Sequence, residues 1–93
     1  MECLKEHEIE SWLEKLPGWQ RDGDAVKKEW LFEDFKSALT FINRVGELAE
    51  QFDHHPELYN VYNRVSLRYT THDANGLTRK DMDSACAIEK FMA

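Results

Sequence analysis

A nearly unbroken apolar stripe through eighteen residues constrains this chain more than any other feature. Phe35, Ala38, Leu39, Ile42, Val45, Leu48, Ala49 and Phe52 recur at three- and four-residue intervals, the period that gathers side chains on one face of an α-helix. Such a helix is about 27 Å long. In a chain of 93 residues it has to cross most of whatever core exists, so the other elements must present it with an apolar surface.

The rest of the chain supplies that surface in alternating pieces. Ile9, Trp12, Leu13 and Leu16 share helical spacing, and Pro17–Gly18 ends that element. Cys3–Leu4–Lys5–Glu6 offers no Ser or Thr cap, which predicts a frayed start. Trp19–Arg21, the pair Asp22–Gly23 and Val26–Phe32 read as a hairpin closed by a two-residue type I′ turn, with Val26, Trp30 and Phe32 on one face. Leu58–Tyr62 and Val65–Thr71 predict two further strands; in the second, Val65, Leu67 and Tyr69 alternate with Ser66, Arg68 and Thr70. A last helix follows the turn pair Asn75–Gly76, with Thr78 as N-cap, Asp81 three residues on, and Leu77 positioned to staple onto Met82. No repeat, low-complexity run or Gly/Ser linker divides the chain. The expectation is one α+β domain over residues 1–93, in the order α-β-β-α-β-β-α. It has a four-stranded, mainly antiparallel sheet with three helices packed on one face.

Charge narrows the function. A net charge of −6 leaves no basic stripe for nucleic acid: Lys27–Lys28 is followed by Glu29, and Arg79–Lys80 by Asp81 and Asp83, so both pairs read as mixed, solvated faces. No segment is apolar enough for a signal peptide or membrane span, which points to a cytoplasmic setting. Cys3 and Cys86 are expected to stay free thiols there.

Of the four histidines, His54, His55 and His72 fall within one short stretch, and His7 lies apart in the first helix, at the surface. Pro56 pushes His55 out of the helical region, so the adjacent rings should project differently from a loop that follows the long helix. The outward parity of Ser66, Arg68 and Thr70 extends to His72 at a strand end. Imidazole, with an unperturbed pKa of about 6.5, both gives and takes protons near neutrality. Taken alone, adjacent histidines before a proline are most often solvated loop residues, and acid/base use or metal ligation are the sharper alternatives. Neighbouring residues chelate one ion awkwardly, and no Cys/His pair has zinc-site spacing. Asp81 has a sufficient role as a capping carboxylate. Glu50, one turn before His54, is a solvated helix residue that could also orient an imidazole. Trp30 and Tyr62 read as core or interface aromatics.

Taken in order, Glu50, His54–His55–Pro56, Tyr62, His72 and Asp81 stand with three, five, nine and eight residues between them. That spacing, and the text DHHPELYNVYNRVSLRYTTHDANGLTRKDMDSA around it, resembles the pterin-4a-carbinolamine dehydratases over roughly residues 8–92. The resemblance implies dehydration of the 4a-hydroxytetrahydropterin left by aromatic amino-acid hydroxylases to quinonoid dihydropterin, in tetrahydrobiopterin recycling. No metal or organic cofactor is implied. His54, His55 and His72 would be the catalytic set, with His54 and His72 moving protons and His55 mainly binding. Asp53, Thr70, Thr71 and Asp73 would border the pterin beside them, with Glu50 and Asp81 in support. The family also implies a homodimer or homotetramer, joined through strand edges and helices; Tyr59, Val61 and Tyr62 could lie beside such an edge. Some animal members partner a transcription factor, so nuclear presence is compatible with the resemblance. Leu58 departs from it, standing where an aromatic residue is common. The competing reading is a noncatalytic dimerisation module on the same fold.

Overall fold

Strand Arg64–Tyr69 organises the molecule: Val65, Leu67 and Tyr69 are fully buried on one side, while Arg64, Ser66 and Arg68 face the other. The structure, a computed structural model, describes residues 2–92. Its elements are α1 (Glu6–Glu14), β1 (Gln20–Asp22), β2 (Ala25–Leu31), α2 (Phe35–Phe52), β3 (Glu57–Val61), β4 (Arg64–Tyr69), a 3-10 turn over His72–Ala74, and α3 (Arg79–Met92). The strands pair antiparallel throughout in the order β1-β2-β4-β3, as an open sheet. The predicted fold class and element order are those observed.

Register explains the single covered face. Val26 pairs with Tyr69 and Trp30 with Val65, so the apolar positions of β2 and β4 fall side by side. Onto them pack Ile9 and Leu16, Ala38, Phe41 and Val45 of α2, and Met82, Ala85 and Ile88 of α3. Trp30 contacts Trp19 edge-on at 5.7 Å and Phe41 at 4.7 Å between ring centroids, so Trp30 is a core residue. Burying one leucine such as Leu67 contributes about 1.5–3 kcal/mol.

Three local readings are corrected. The β1–β2 turn is Gly23–Asp24, because Asp22 pairs with Ala25; only Gly23 has a positive φ (61°), whereas a type I′ turn needs it at both central residues. Strand β4 stops at Tyr69, and β3 stops at Val61, leaving Tyr62 exposed in the turn at φ 50°. Tyr62 is therefore not a core aromatic. The start of α1 is closed without Ser or Thr, since the Glu8 carboxylate accepts from the Lys5 amide at 2.8 Å. The segment before it is tied down by the Leu4 amide, which donates to Leu77 O at 2.7 Å. Both cysteines are free thiols. No helix of the described residues is long and apolar enough to cross a membrane.

Candidate active site

The long helix ends in a way that aims His54. Asp53 adopts a left-handed conformation (φ 50°); its amide donates to Glu50 O at 3.3 Å and the His54 amide donates to Ala49 O at 3.0 Å. These are the paired hydrogen bonds of a Schellman closure, so the backbone of His54 is fixed to the last turn of α2 and does not wander with a loop.

Its side chain reaches the first turn of α3. Of the capping box predicted there, the Asp81 half is present: Thr78 N–H donates to Asp81 Oδ2 at 2.9 Å, while Thr78 Oγ1 accepts from the Lys80 amide at 3.3 Å, one residue before Asp81. Capping is only part of what Asp81 does. The residue is fully buried, Oδ2 also accepts from Thr71 Oγ1 at 2.8 Å, and Oδ1 lies 2.6 Å from His54 Nε2. A buried carboxylate left without such partners would cost several kcal/mol, roughly, and here every partner can donate. The positive end of α3 adds to the same stabilisation. With Nε2 donating to Asp81, the neutral His54 ring carries its free lone pair on Nδ1, so the carboxylate sets the tautomer. Tyr69 stacks on this ring at 5.6 Å with planes 23° apart, and burial pushes the Tyr69 phenol up to about 12. The ring is thus held by its backbone, by one carboxylate and by one aromatic face.

The other histidines are arranged differently. His55 is exposed, and its Nε2 lies 2.5 Å from Glu50 Oε2. The imidazole that Glu50 meets is thus that of His55 and not that of His54. His72 begins the 3-10 turn instead of ending β4: beyond Tyr69 the chain leaves the sheet, and Thr71 forms an isolated bridge with Gly76. The strand parity that predicted its direction does not apply to it. His72 is exposed, and the turn behind it is closed by the Asn75 amide donating to His72 O at 3.0 Å.

A polar cleft of about 320 Å3 brings these groups together. His54, His55 and His72 line it, with Asp53, Thr70, Thr71 and Asp73 between them. Thr70 is anchored by its hydroxyl to Asp24 O at 2.5 Å. Asp81 and Glu50 stand behind the lining, each through one imidazole. Lys80 also lines the cleft, and sequence reasoning missed it by assigning the Arg79–Lys80 pair to a solvated face. Its position directly after the cap and before Asp81 was the available signal. Among the described residues, no group of three or more His, Cys, Asp or Glu side chains is placed to hold a metal ion.

The pattern of the family described as pterin 4 alpha carbinolamine dehydratase matches residues 2–91. The chain belongs to that family. Among its relatives, a Novosphingobium aromaticivorans protein is 47% identical over 91 residues, covering 96% of this chain and 95% of its own. A Thermomicrobium roseum protein is 46% identical over 82 residues, 88% of each chain. Both are provisionally named pterin-4-alpha-carbinolamine dehydratases. The crystal structure of a Brucella melitensis protein titled a transcriptional coactivator/pterin dehydratase superposes with a TM-score of 0.93 at 35% identity, over 98% of this chain and 99% of that one. Family membership thus accounts for the fold and supports a dehydratase.

Proposed function

We propose that this protein dehydrates 4a-hydroxytetrahydropterin to quinonoid dihydropterin by histidine acid/base catalysis, serving tetrahydrobiopterin recycling. The observation that carries the reading is the convergence of His54 and His72 on one cleft, with His54 Nε2 already committed to a buried carboxylate. In the reaction the C4a–O bond breaks and the oxygen leaves as water after taking a proton from one imidazolium. The N5 lone pair forms the C4a=N5 bond, and the N5 proton passes to the other, neutral imidazole. One proton is given and one accepted, so the pair of rings ends with the charge it began with.

His54, whose tautomer leaves Nδ1 free, suits the acceptor, and exposed His72 suits the donor that recharges from solvent. His55, braced by Glu50, holds the pterin at the rim, with Asp53, Thr70, Thr71 and Asp73 as its further border. Acid/base help of this kind is typically worth about 10²–10⁴-fold, and no covalent intermediate is needed. The test is to generate the carbinolamine with a hydroxylase and follow its absorbance decay by stopped flow with and without the protein. Acceleration that His54→Ala abolishes is expected; a decay rate independent of the protein contradicts the reading.

The same reading extends to assembly as a homodimer or homotetramer. Strand β3 is an outer strand of the open sheet; Leu58, Tyr59 and Val61 along it, and Tyr62 in the turn that follows, are all exposed, a combination that favours pairing with a second copy. Light scattering at micromolar concentration should return a multiple of 11.0 kDa.

A further inference from the structure

A second cleft, of about 480 Å3, adjoins the first and shares His54 and Lys80 with it. It follows the exposed side of α3, where Lys80, Asp83, Ala87 and Lys90 recur at helical spacing, and it is walled on its other side by Phe52 from the end of α2. Its middle is apolar: Phe52, Ala87 and Cys86 line it, and burial pushes the Cys86 thiol up, keeping it uncharged near neutrality. Lys90 stands at the far end, ten residues from Lys80 and so about 15 Å along the helix. Asp83 directs its carboxylate at Arg79, 3.5 Å away. Among the described residues, neither Lys80 nor Lys90 has an ion-pair partner.

The chemistry of the substrate connects the two clefts. In a tetrahydropterin, C6 is bonded directly to N5, the atom that exchanges a proton. A ring at His54 that serves N5 therefore stands beside the point where the C6 substituent begins, and His54 is one of the two side chains through which the clefts meet. We propose that the second cleft receives the C6 substituent, and that it selects a tail with an aryl ring ending in carboxylates. The aryl ring lies against Phe52 and Ala87, and the carboxylates reach Lys90. The inference rests on the dehydratase reading and deepens it by naming the substrate class.

The experiment measures competitive inhibition of the dehydration of the 6-methyl carbinolamine by three product-like ligands: 6-methyl-7,8-dihydropterin, a dihydropterin with a short phosphate tail, and 7,8-dihydropteroylglutamate. The last should bind about tenfold more tightly than the first, because exposed lysine–carboxylate pairs each give a modest gain and the buried aryl face adds to it. Lys90→Glu should reduce that advantage to about twofold or less, and Ala87→Trp, which fills the middle of the groove, should do the same. Turnover of the 6-methyl carbinolamine should stay within about twofold in both variants, since neither residue lines the first cleft. Equal inhibition by all three ligands overturns the inference, as does an equal gain from the phosphate tail that survives Lys90→Glu. In either case unimpaired turnover of the 6-methyl carbinolamine leaves the dehydratase reading standing. Failure of the wild-type protein to accelerate that reaction at all removes both.

Discussion

Replacing Asp81 by asparagine should separate catalysis from folding. The carboxylate accepts three hydrogen bonds, from Thr71 Oγ1 and Thr78 N on Oδ2 and from His54 Nε2 on Oδ1. Because the Thr78 amide can only donate, the asparagine oxygen must take the Oδ2 place, and its NH2 then faces His54 Nε2. That nitrogen is forced to accept, the proton moves to Nδ1, and the neutral ring loses the lone pair assigned to the substrate. The hydrogen-bond count is preserved, so the stability loss is confined to charge assistance and the helix-end interaction, about 1 kcal/mol. For a domain of this size that is about 4–8 °C in Tm. Loss of the base, by contrast, should lower kcat about 10²-fold. Asp81→Ala removes all three bonds and leaves the Thr78 amide and the His54 ring unpaired, costing about 3–5 kcal/mol. Thermal unfolding by circular dichroism, paired with stopped-flow decay of the carbinolamine, reads both quantities. An Asp81→Asn protein that keeps kcat within twofold of wild type would refute the tautomer argument.

Further outcomes follow from the same structure. His72→Ala should lower kcat about 10²-fold with Tm unchanged, because the ring is exposed; a parallel loss of Tm in the same melt would make its role structural. The Asp34 carboxyl is held below its ordinary value, chiefly by the hydrogen bond from the Ser37 amide at the start of α2. A lowered folded value contributes stability above the unfolded carboxyl pKa that is lost as pH falls through the folded one. Asp34→Asn should therefore show a flatter decline of Tm below about pH 4 than wild type. Tyr69 is the opposite case: with its phenol pushed up to about 12 by burial, it contributes stability below pH 10 that is lost as pH rises toward 12. Two units correspond to about 2–3 kcal/mol, so Tyr69→Phe should resist alkaline unfolding better than wild type in a pH-jump melt.

What could be read from the residues and what could not divide along a physical line. The α2 stripe and the alternation of Val65, Leu67 and Tyr69 are periodic signals, and periodicity reports burial directly. Thr78 and Asp81 were legible as a cap because a capping box is local, three residues across. That Asp81 also accepts from His54, twenty-seven residues away, depends on the start of α3 docking against the end of α2, which no local rule contains. Glu50 could be read only as a solvated helix residue able to orient some imidazole; which one depends on the left-handed turn at Asp53, which leaves His55 as its neighbour. His72 was placed by strand parity, and parity ends where pairing ends; Thr71 bonds to Gly76 across a turn instead of continuing β4. Lys80 escaped because a charged pair next to acidic residues has the same appearance on an inert surface and on a cleft wall. The second cleft was invisible for a similar reason: its apolar floor uses Phe52, already counted in the α2 stripe, and Ala87, too small to register as a pattern.

The most direct measurement is a crystal structure of the protein soaked with 6-methyl-7,8-dihydropterin. The bicycle should lie in the cleft between α2 and the 3-10 turn, with its N5–C4a edge within hydrogen-bond reach, directly or through one water, of both His54 Nδ1 and a nitrogen of His72. A bicycle bound with that edge facing solvent, or touching one histidine while the other points away, would contradict the account.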